Sequence, residues 1–227
     1  MFLLLLSMAK FDYQRLQPRH KFAVPSDYFF RMLSKLGWTP DVQGNILEIG
    51  FGYGANLLEF ERRKSFYNYG GSCYGIDINE HNVLNIANSE INTICSDVLI
   101  AGISFPVQFD LIYGLDIYYY FTLNEIEQHL KEVYDKLTFD GLFVFNFIEK
   151  RVKITSTLEE IPNLTFEELP FDFGENPINR IPIKELTQII TNSKLTLLQS
   201  SFNLTVIPQT LDEYYLKRYV ALKRMDT

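Results

Sequence analysis

Short apolar runs alternate along this chain with stretches whose apolar residues recur every three or four positions. Ile46–Ile49, Cys73–Ile78, Ile91–Cys95, Phe109–Tyr113 and Leu142–Phe147 read as strands, the last apolar enough to be buried on both faces. Between them, Ala55–Arg63 and Glu80–Asn88 read as helices. So does the stretch after Thr122, which carries Ile126, Leu130, Val133 and Leu137 on one face. Thr122 and Glu125 have the spacing of a capping box that starts it, and Thr138-Phe-Asp-Gly141 reads as the turn that follows. Strands alternating with helices at this spacing predict a doubly wound α/β fold, its parallel sheet built by right-handed crossovers.

Two regions frame that pattern. Before it, Pro25-Ser26-Asp27 opens a helix with Tyr28, Phe29, Met32, Leu33 and Leu36 as its apolar residues, ended by Gly37-Trp38-Thr39-Pro40. This helix either covers one sheet face or closes over a site at the strand ends. After it, from Ile154 to Asn179, periodicity lapses. Four of the nine prolines fall between Pro162 and Pro182, and Glu159, Glu160, Glu167, Glu168, Asp172 and Glu175 meet no Lys or Arg. The chain then resumes with a helix marked by Leu186, Ile189 and Ile190. Strands at Leu195–Phe202 and Tyr219–Lys223 follow, joined by a loop with a helical piece at Asp212–Leu216. The expected organisation is an arm and cap helix over residues 1–44 and a seven-stranded domain over 45–227, with a cap insertion at 149–182.

Composition narrows the function. The 227 residues are 47% hydrophobic, enough for one generous core, and 21 basic against 28 acidic side chains leave a formal charge of −7. That balance disfavours nucleic acid, whose phosphates require clustered Lys and Arg. No apolar run is long enough to cross a bilayer. The opening Met1-Phe-Leu-Leu-Leu-Leu-Ser7 lacks the basic flank of a secretion signal and reads as a floppy tail, with Met8 as a second start. Cys73 and Cys95, both in apolar runs, read as buried free thiols of a cytoplasmic protein, and neither has a companion at metal spacing.

The chemistry gathers where the first strand breaks. Gly50, Gly52 and Gly54 follow it at alternate positions and lead into a helix, a layout that lets backbone and a helix N-terminus approach a nucleotide. Glu48 lies two residues before the first glycine. Gly50-x-Gly52-x-x-Ala55 also satisfies the dinucleotide fingerprint of NAD(P) oxidoreductases. Asp77, however, follows the first glycine by 27 positions, where that motif places its acid about 20 residues on.

In series these segments resemble the class I S-adenosylmethionine-dependent methyltransferases, over roughly Asn45 to Lys223. Leu-Glu-Ile-Gly-Phe-Gly-Tyr-Gly matches the family's first motif, and Asp77 stands at its ribose acid. Ser96-Asp97-Val98 stands at its adenine contacts, Phe109–Ile112 at its fourth-strand motif and Leu137–Val144 at its approach to strand five. The resemblance implies S-adenosyl-L-methionine as cofactor and a closing antiparallel strand. It assigns Glu48 to the methionine ammonium, Gly50, Gly52 and Gly54 to close approach, with any side chain there clashing, and Asp77 to the ribose hydroxyls. Ile78 would pack on the adenine, with Asp97 and Val98 beside it.

The family builds its methyl-transfer pocket after strand four, which here brings in Asp116 and Tyr118-Tyr119-Tyr120. Three adjacent tyrosines cannot all face one pocket, and Tyr119 is the favoured one. Glu149 and His20 are candidate bases, while His81 and His129, on crossover helices, read as surface residues. The (Asp/Asn)-Pro-Pro-aromatic signature used on base or amide nitrogens is replaced by Gly114-Leu-Asp-Ile. The expectation is methyl transfer to an N or O atom of a small organic molecule, the acid-rich insertion favouring a cationic one. A module that binds the cofactor without catalysis is the alternative.

Overall fold

The structure, a computed structural model, describes residues 24–38, 44–87, 89–155, 166–169, 178–206 and 213–225. His20 and most of the acid-rich insertion lie outside them. In chain order the elements are α1 (Asp27–Lys35), β1 (Ile46–Ile49), α2 (Ala55–Tyr67), β2 (Cys73–Asp77), α3 (Glu80–Asn85), β3 (Asn92–Cys95) and α4 (Val98–Ala101). Then come β4 (Phe109–Gly114), a 3-10 turn (Tyr118–Tyr120), α5 (Leu123–Lys136), β5 (Leu137–Ile154), β6 (Phe166–Leu169), α6 (Ile183–Asn192), β7 (Leu195–Val206) and β8 (Glu213–Arg224).

The sheet runs β3-β2-β1-β4-β5-β8-β7. Strands β1 to β5 are parallel, and β8 lies antiparallel between β5 and β7. The eighth strand, β6, pairs with the outer part of β5, where Arg151 faces Leu169 and Lys153 faces Glu167. The insertion expected to begin at residue 149 thus starts as sheet.

Alternation along the strands splits the core in two. Leu111, Tyr113, Val144 and Ala221 pack with Phe29, Met32 and Leu33 of α1 and Leu57 and Phe60 of α2. Ile112, Phe143, Phe145 and Val220 pack on the opposite side with Ile126, Leu130 and Val133 of α5 and Leu186 and Ile190 of α6. Helix α1 therefore does cover a sheet face, each large side chain it buries contributing roughly 1.5–3 kcal/mol. Its start is capped by Ser26, whose side chain accepts from the Phe29 N–H, and the Thr122–Glu125 capping box is complete.

Four local expectations are corrected. Thr138 to Gly141 fall inside β5, as an irregularity between its Leu137 and Leu142 pairings with β4 where Asp140 takes a left-handed φ of 64°, and not in a turn that precedes the strand. Glu213 to Leu216 are strand, because Lys150–Lys153 pair with them across β5 and β8. His129 is buried, since it shares the α5 stripe with Ile126 and Val133 and packs among Tyr118, Phe121 and Phe143. Cys95 is exposed and Cys73 buried, both as free thiols. Among the described residues, no helix is long and apolar enough to cross a membrane.

Candidate active site

Strand β1 ends at Ile49, and the chain turns through Gly50, Gly52 and Gly54 at φ values of 68°, 54° and 71°. A Cβ on Gly50 would lie 2.3 Å from Ile117 Cγ2. A Cβ on Gly52 would meet nothing within 4 Å. No described residue, then, would clash with a side chain at Gly52. Its backbone conformation is what demands glycine, and the space beside it is open to a ligand.

Glu48 is buried at the tip of β1. The Tyr113 hydroxyl donates to its Oε2 at 3.0 Å and Asn56 Nδ2 to its Oε1 at 3.2 Å. Burial pushes the carboxyl from 4.5 to about 8; these two donors hold it down in part, and the nearby Asp77 charge adds to the rise. Burial also raises the Tyr113 phenol well above its ordinary value, with the Glu48 charge next, so it stays a donor. Asn56 Oδ1 in turn accepts the Ser26 N–H at 2.7 Å, tying the entrance of α1 to the same carboxylate.

Asp77 ends β2. Its Oδ2 accepts the Gly52 N–H at 2.8 Å, and its Oδ1 accepts the Asn79 N–H at 2.8 Å and Asn82 Nδ2 at 3.2 Å. Burial raises its pKa and these bonds oppose the rise. The cap of α3 is Asn79, not Asp77. Ile78 beside it is 43% exposed, unusual for an isoleucine at a strand end in the interior of a sheet. Asp97 caps α4 through the Leu99 N–H at 2.9 Å, Val98 is buried, and the buried Ser96 hydroxyl has no partner among the described residues.

A cavity of about 350 Å³ joins Glu48, the glycine loop and Asn56 to Ser26, Asp116 and Tyr219. Asp116 holds a left-handed φ of 61°, its N–H donating to Asn146 Oδ1 at 2.6 Å. Lys217 from β8 reaches Asp116 Oδ1 at 2.7 Å. Asn146 in β5 pairs directly with Tyr219 in β8, which places both side chains on the α1 face. Burial pushes the Tyr219 phenol up and the Asp116 charge adds to this, while Asn146 and Ser26 pull it back.

Of the other candidates, Tyr118 is core, packed on Phe145 and Phe143. Tyr119 is half-buried with its ring 4.6 Å from that of Tyr120, and its carbonyl accepts the Asn179 N–H at 2.6 Å. Glu149 pairs with Arg218 at 2.6 Å, and Arg218 also donates to Ser200 Oγ. Neither Tyr119 nor Glu149 lines the cavity; Asp116 does. Sequence reasoning missed Asn56, Tyr113, Asn146, Lys217 and Tyr219. The one signal was a lone polar side chain at Asn146 inside an otherwise apolar run.

Residues 47–145 match the family model of a methyltransferase domain. The fold is that of the class I methyltransferases. The sequence matches no curated protein. Among solved structures it is similar to the magnesium protoporphyrin IX methyltransferase ChlM from Synechocystis PCC 6803 with bound S-adenosylhomocysteine, at 13% identity and TM-score 0.59, covering 87% of this chain and 80% of that one. It is also similar to an S-adenosylmethionine-dependent methyltransferase from Clostridium acetobutylicum ATCC 824, at 14% identity and TM-score 0.59, covering 97% and 95%. A third is the N-methyltransferase NodS from Bradyrhizobium japonicum WM9, at 16% identity and TM-score 0.57, covering 88% and 96%. At these identities the likeness is one of fold.

A second structure of ChlM holds S-adenosylmethionine, and the site of this chain fits that cofactor. The space beside Gly52 lies open, the buried Ser96 hydroxyl awaits a partner, and Glu48 and Asp77 supply carboxylates at the tips of adjacent strands. When bound, the cofactor supplies a methyl group already activated on a sulfonium. The chain's own residues have then to fix its two ends, exclude water and align the acceptor.

Proposed function

We propose that this enzyme transfers the methyl group by in-line displacement to an N or O atom of a small organic molecule. The observation that carries the reading is the single cavity running from Glu48 and the glycine loop to Asp116 and Tyr219. On this reading Glu48 holds the methionine ammonium and Asp77 the ribose hydroxyls. Ile78 packs on the adenine, and Asp97 receives its exocyclic amine next to Val98. Alignment supplies most of the catalysis, up to about 7–11 kcal/mol. The net charge of −7 disfavours a nucleic-acid acceptor, and we place the enzyme in the cytoplasm.

The described part of the cap offers a cationic acceptor little, because Glu168 is already paired with Lys150 and Arg180. Calorimetry with S-adenosylmethionine and S-adenosylhomocysteine tests the cofactor assignment, and micromolar binding of both is expected at about −8 kcal/mol. A screen for S-adenosylhomocysteine release across amines, phenols, acids and peptides then separates an enzyme from a non-catalytic binding module. Tight cofactor binding without turnover on any small molecule would favour the module.

A further inference from the structure

Strand register gives the buried Glu48 two lateral neighbours, Gly75 on β2 and Tyr113 on β4. Gly75 has no side chain to offer, and a Cβ there would meet the Phe51 ring at 2.6 Å. Tyr113 is the strand neighbour able to donate, and its hydroxyl does so to Glu48 Oε2 at 3.0 Å. From α2, Asn56 Nδ2 donates to Oε1 at 3.2 Å. The orientation of that amide is fixed, because its Oδ1 accepts the backbone Ser26 N–H. Each carboxyl oxygen is thus held by one side-chain donor, with further lone pairs left for the cavity that Glu48 lines.

Tyr113 reaches the site only through Glu48. It is fully buried and does not line the cavity, and its hydroxyl's one bond among the described residues is the one to Glu48. Its ring packs with Phe29 at 4.7 Å and Phe60 at 5.7 Å, a task phenylalanine would do as well. The hydroxyl therefore answers to the carboxyl, since a buried polar group without a partner is costly. Toward ionised Glu48, which has no proton to give, Tyr113 and Asn56 are both donors. Asp77 and Cys73 of β2 are the other titratable groups that interact with Glu48. Tyr53, Asp116 and Tyr219 line the same cavity, and α1 and α2 bring to it the uncharged Ser26 and Asn56.

Resting on the reading above that Glu48 receives the cofactor's ammonium, we propose that Tyr113 is a positioning residue for cofactor binding, its hydroxyl holding Glu48 as an oriented carboxylate. Burial drives Glu48 toward its protonated form, and its pKa of about 8 is what remains after Asn56, Tyr113 and the Leu57 backbone oppose that rise. Without the Tyr113 hydroxyl the anion loses one donor, so the carboxyl keeps its proton to higher pH. On binding, that proton leaves Glu48 for solvent while the ammonium of the ligand stays protonated. A carboxyl that holds its proton more tightly binds the ammonium more weakly at neutral pH.

The test uses Tyr113→Phe, which keeps the ring, with S-adenosylhomocysteine as the probe in calorimetry across neutral and mildly alkaline pH. Affinity near neutral pH should fall about 10-fold, the equivalent of about one unit in the carboxyl's pKa. The deficit should shrink as pH rises, and proton release on binding should persist to a pH about one unit higher than in the wild type. In a Glu48→Gln background, Tyr113→Phe should change affinity within about twofold, because the group it acts through is gone. Asn56→Ala removes the other donor without touching the β4 core, should move proton release in the same direction, and decides the outcome where Tyr113→Phe does not fold. An unchanged proton-release profile in the folded variants overturns the proposal. So does an affinity loss that stays undiminished at high pH or in the Glu48→Gln background, as a merely structural role would give. A wild-type protein that fails to bind S-adenosylhomocysteine, or a Glu48→Gln variant that binds it as tightly, overturns the parent reading instead.

Discussion

On the side proposed above for the cofactor the cavity is built from one short piece of chain, since Glu48, Gly50, Gly52 and Asn56 all lie within a single strand-loop-helix unit. On its acceptor side Asp116, Asn146 and Tyr219 come from three distant segments, brought together only by the pairing of β5 with β4 and β8. The first side works largely through backbone: positive φ angles, a bare Gly52 and N–H groups aimed at Asp77. The second works through side chains on a fixed backbone. Cofactor binding should thus be brittle toward changes in conformation, while the acceptor side should accept new side chains with little loss of stability.

The largest expected effect tests the cofactor side. Glu48→Gln should weaken S-adenosylhomocysteine binding about 10-fold to 100-fold, the worth of a hydrogen bond to a charged group, as read by calorimetry. The same residue carries a pH dependence. Its folded-state pKa, about 8, lies above the ordinary 4.5, so the empty folded protein keeps a proton that the unfolded chain loses within that window. Stability of the empty protein should therefore fall as pH rises from about 4.5 to about 8. An ammonium prefers the ionised carboxyl, so cofactor binding within that window should release a proton. Calorimetry in buffers of differing ionisation enthalpy measures this, and Glu48→Gln should abolish it.

Next in size, Gly52→Ala should destabilise the fold by about 1–2 kcal/mol in urea unfolding, from backbone strain alone. It should also weaken the cofactor, whose space the new methyl enters. Asp116→Asn on the acceptor side should leave stability within about 0.5 kcal/mol. Equal losses in the two variants would break the contrast. The smallest effect belongs to the wing. Glu168→Gln should change stability by about 1 kcal/mol or less, because the Lys150 and Arg180 pairs are exposed enough for water to screen them.

What the sequence made legible follows the same division. The glycine loop, the Ser26 cap and the Thr122–Glu125 capping box depend on neighbours in sequence, so spacing alone disclosed them. Asn146 and Tyr219 meet through strand register, which no local pattern encodes. The same blindness shortened β5, since Asp140-Gly141 carries turn chemistry and sits in an irregularity that the strand spans between its Leu137 and Leu142 pairings with β4. It also turned Glu213–Leu216 into a helix, although the Arg151–Glu213 contact and the ladder around it hold that stretch as strand. His129 was legible in principle, three positions beyond Ile126 on the buried stripe, but its polarity argued for the surface. Its ring now lies among aromatics, with Nδ1 3.6 Å from Glu132 Oε2.

Strand β5 runs for 18 residues, lying beside β4 at its start and carrying β6 near its end. One rigid ribbon thereby serves two neighbourhoods. Deleting or adding a single residue in its outer half would turn every later side chain to the opposite face. Lineages adapting this scaffold to other molecules are thus steered toward exchanging alternate residues along the ribbon, or lengthening the loops at its ends, rather than changing its length.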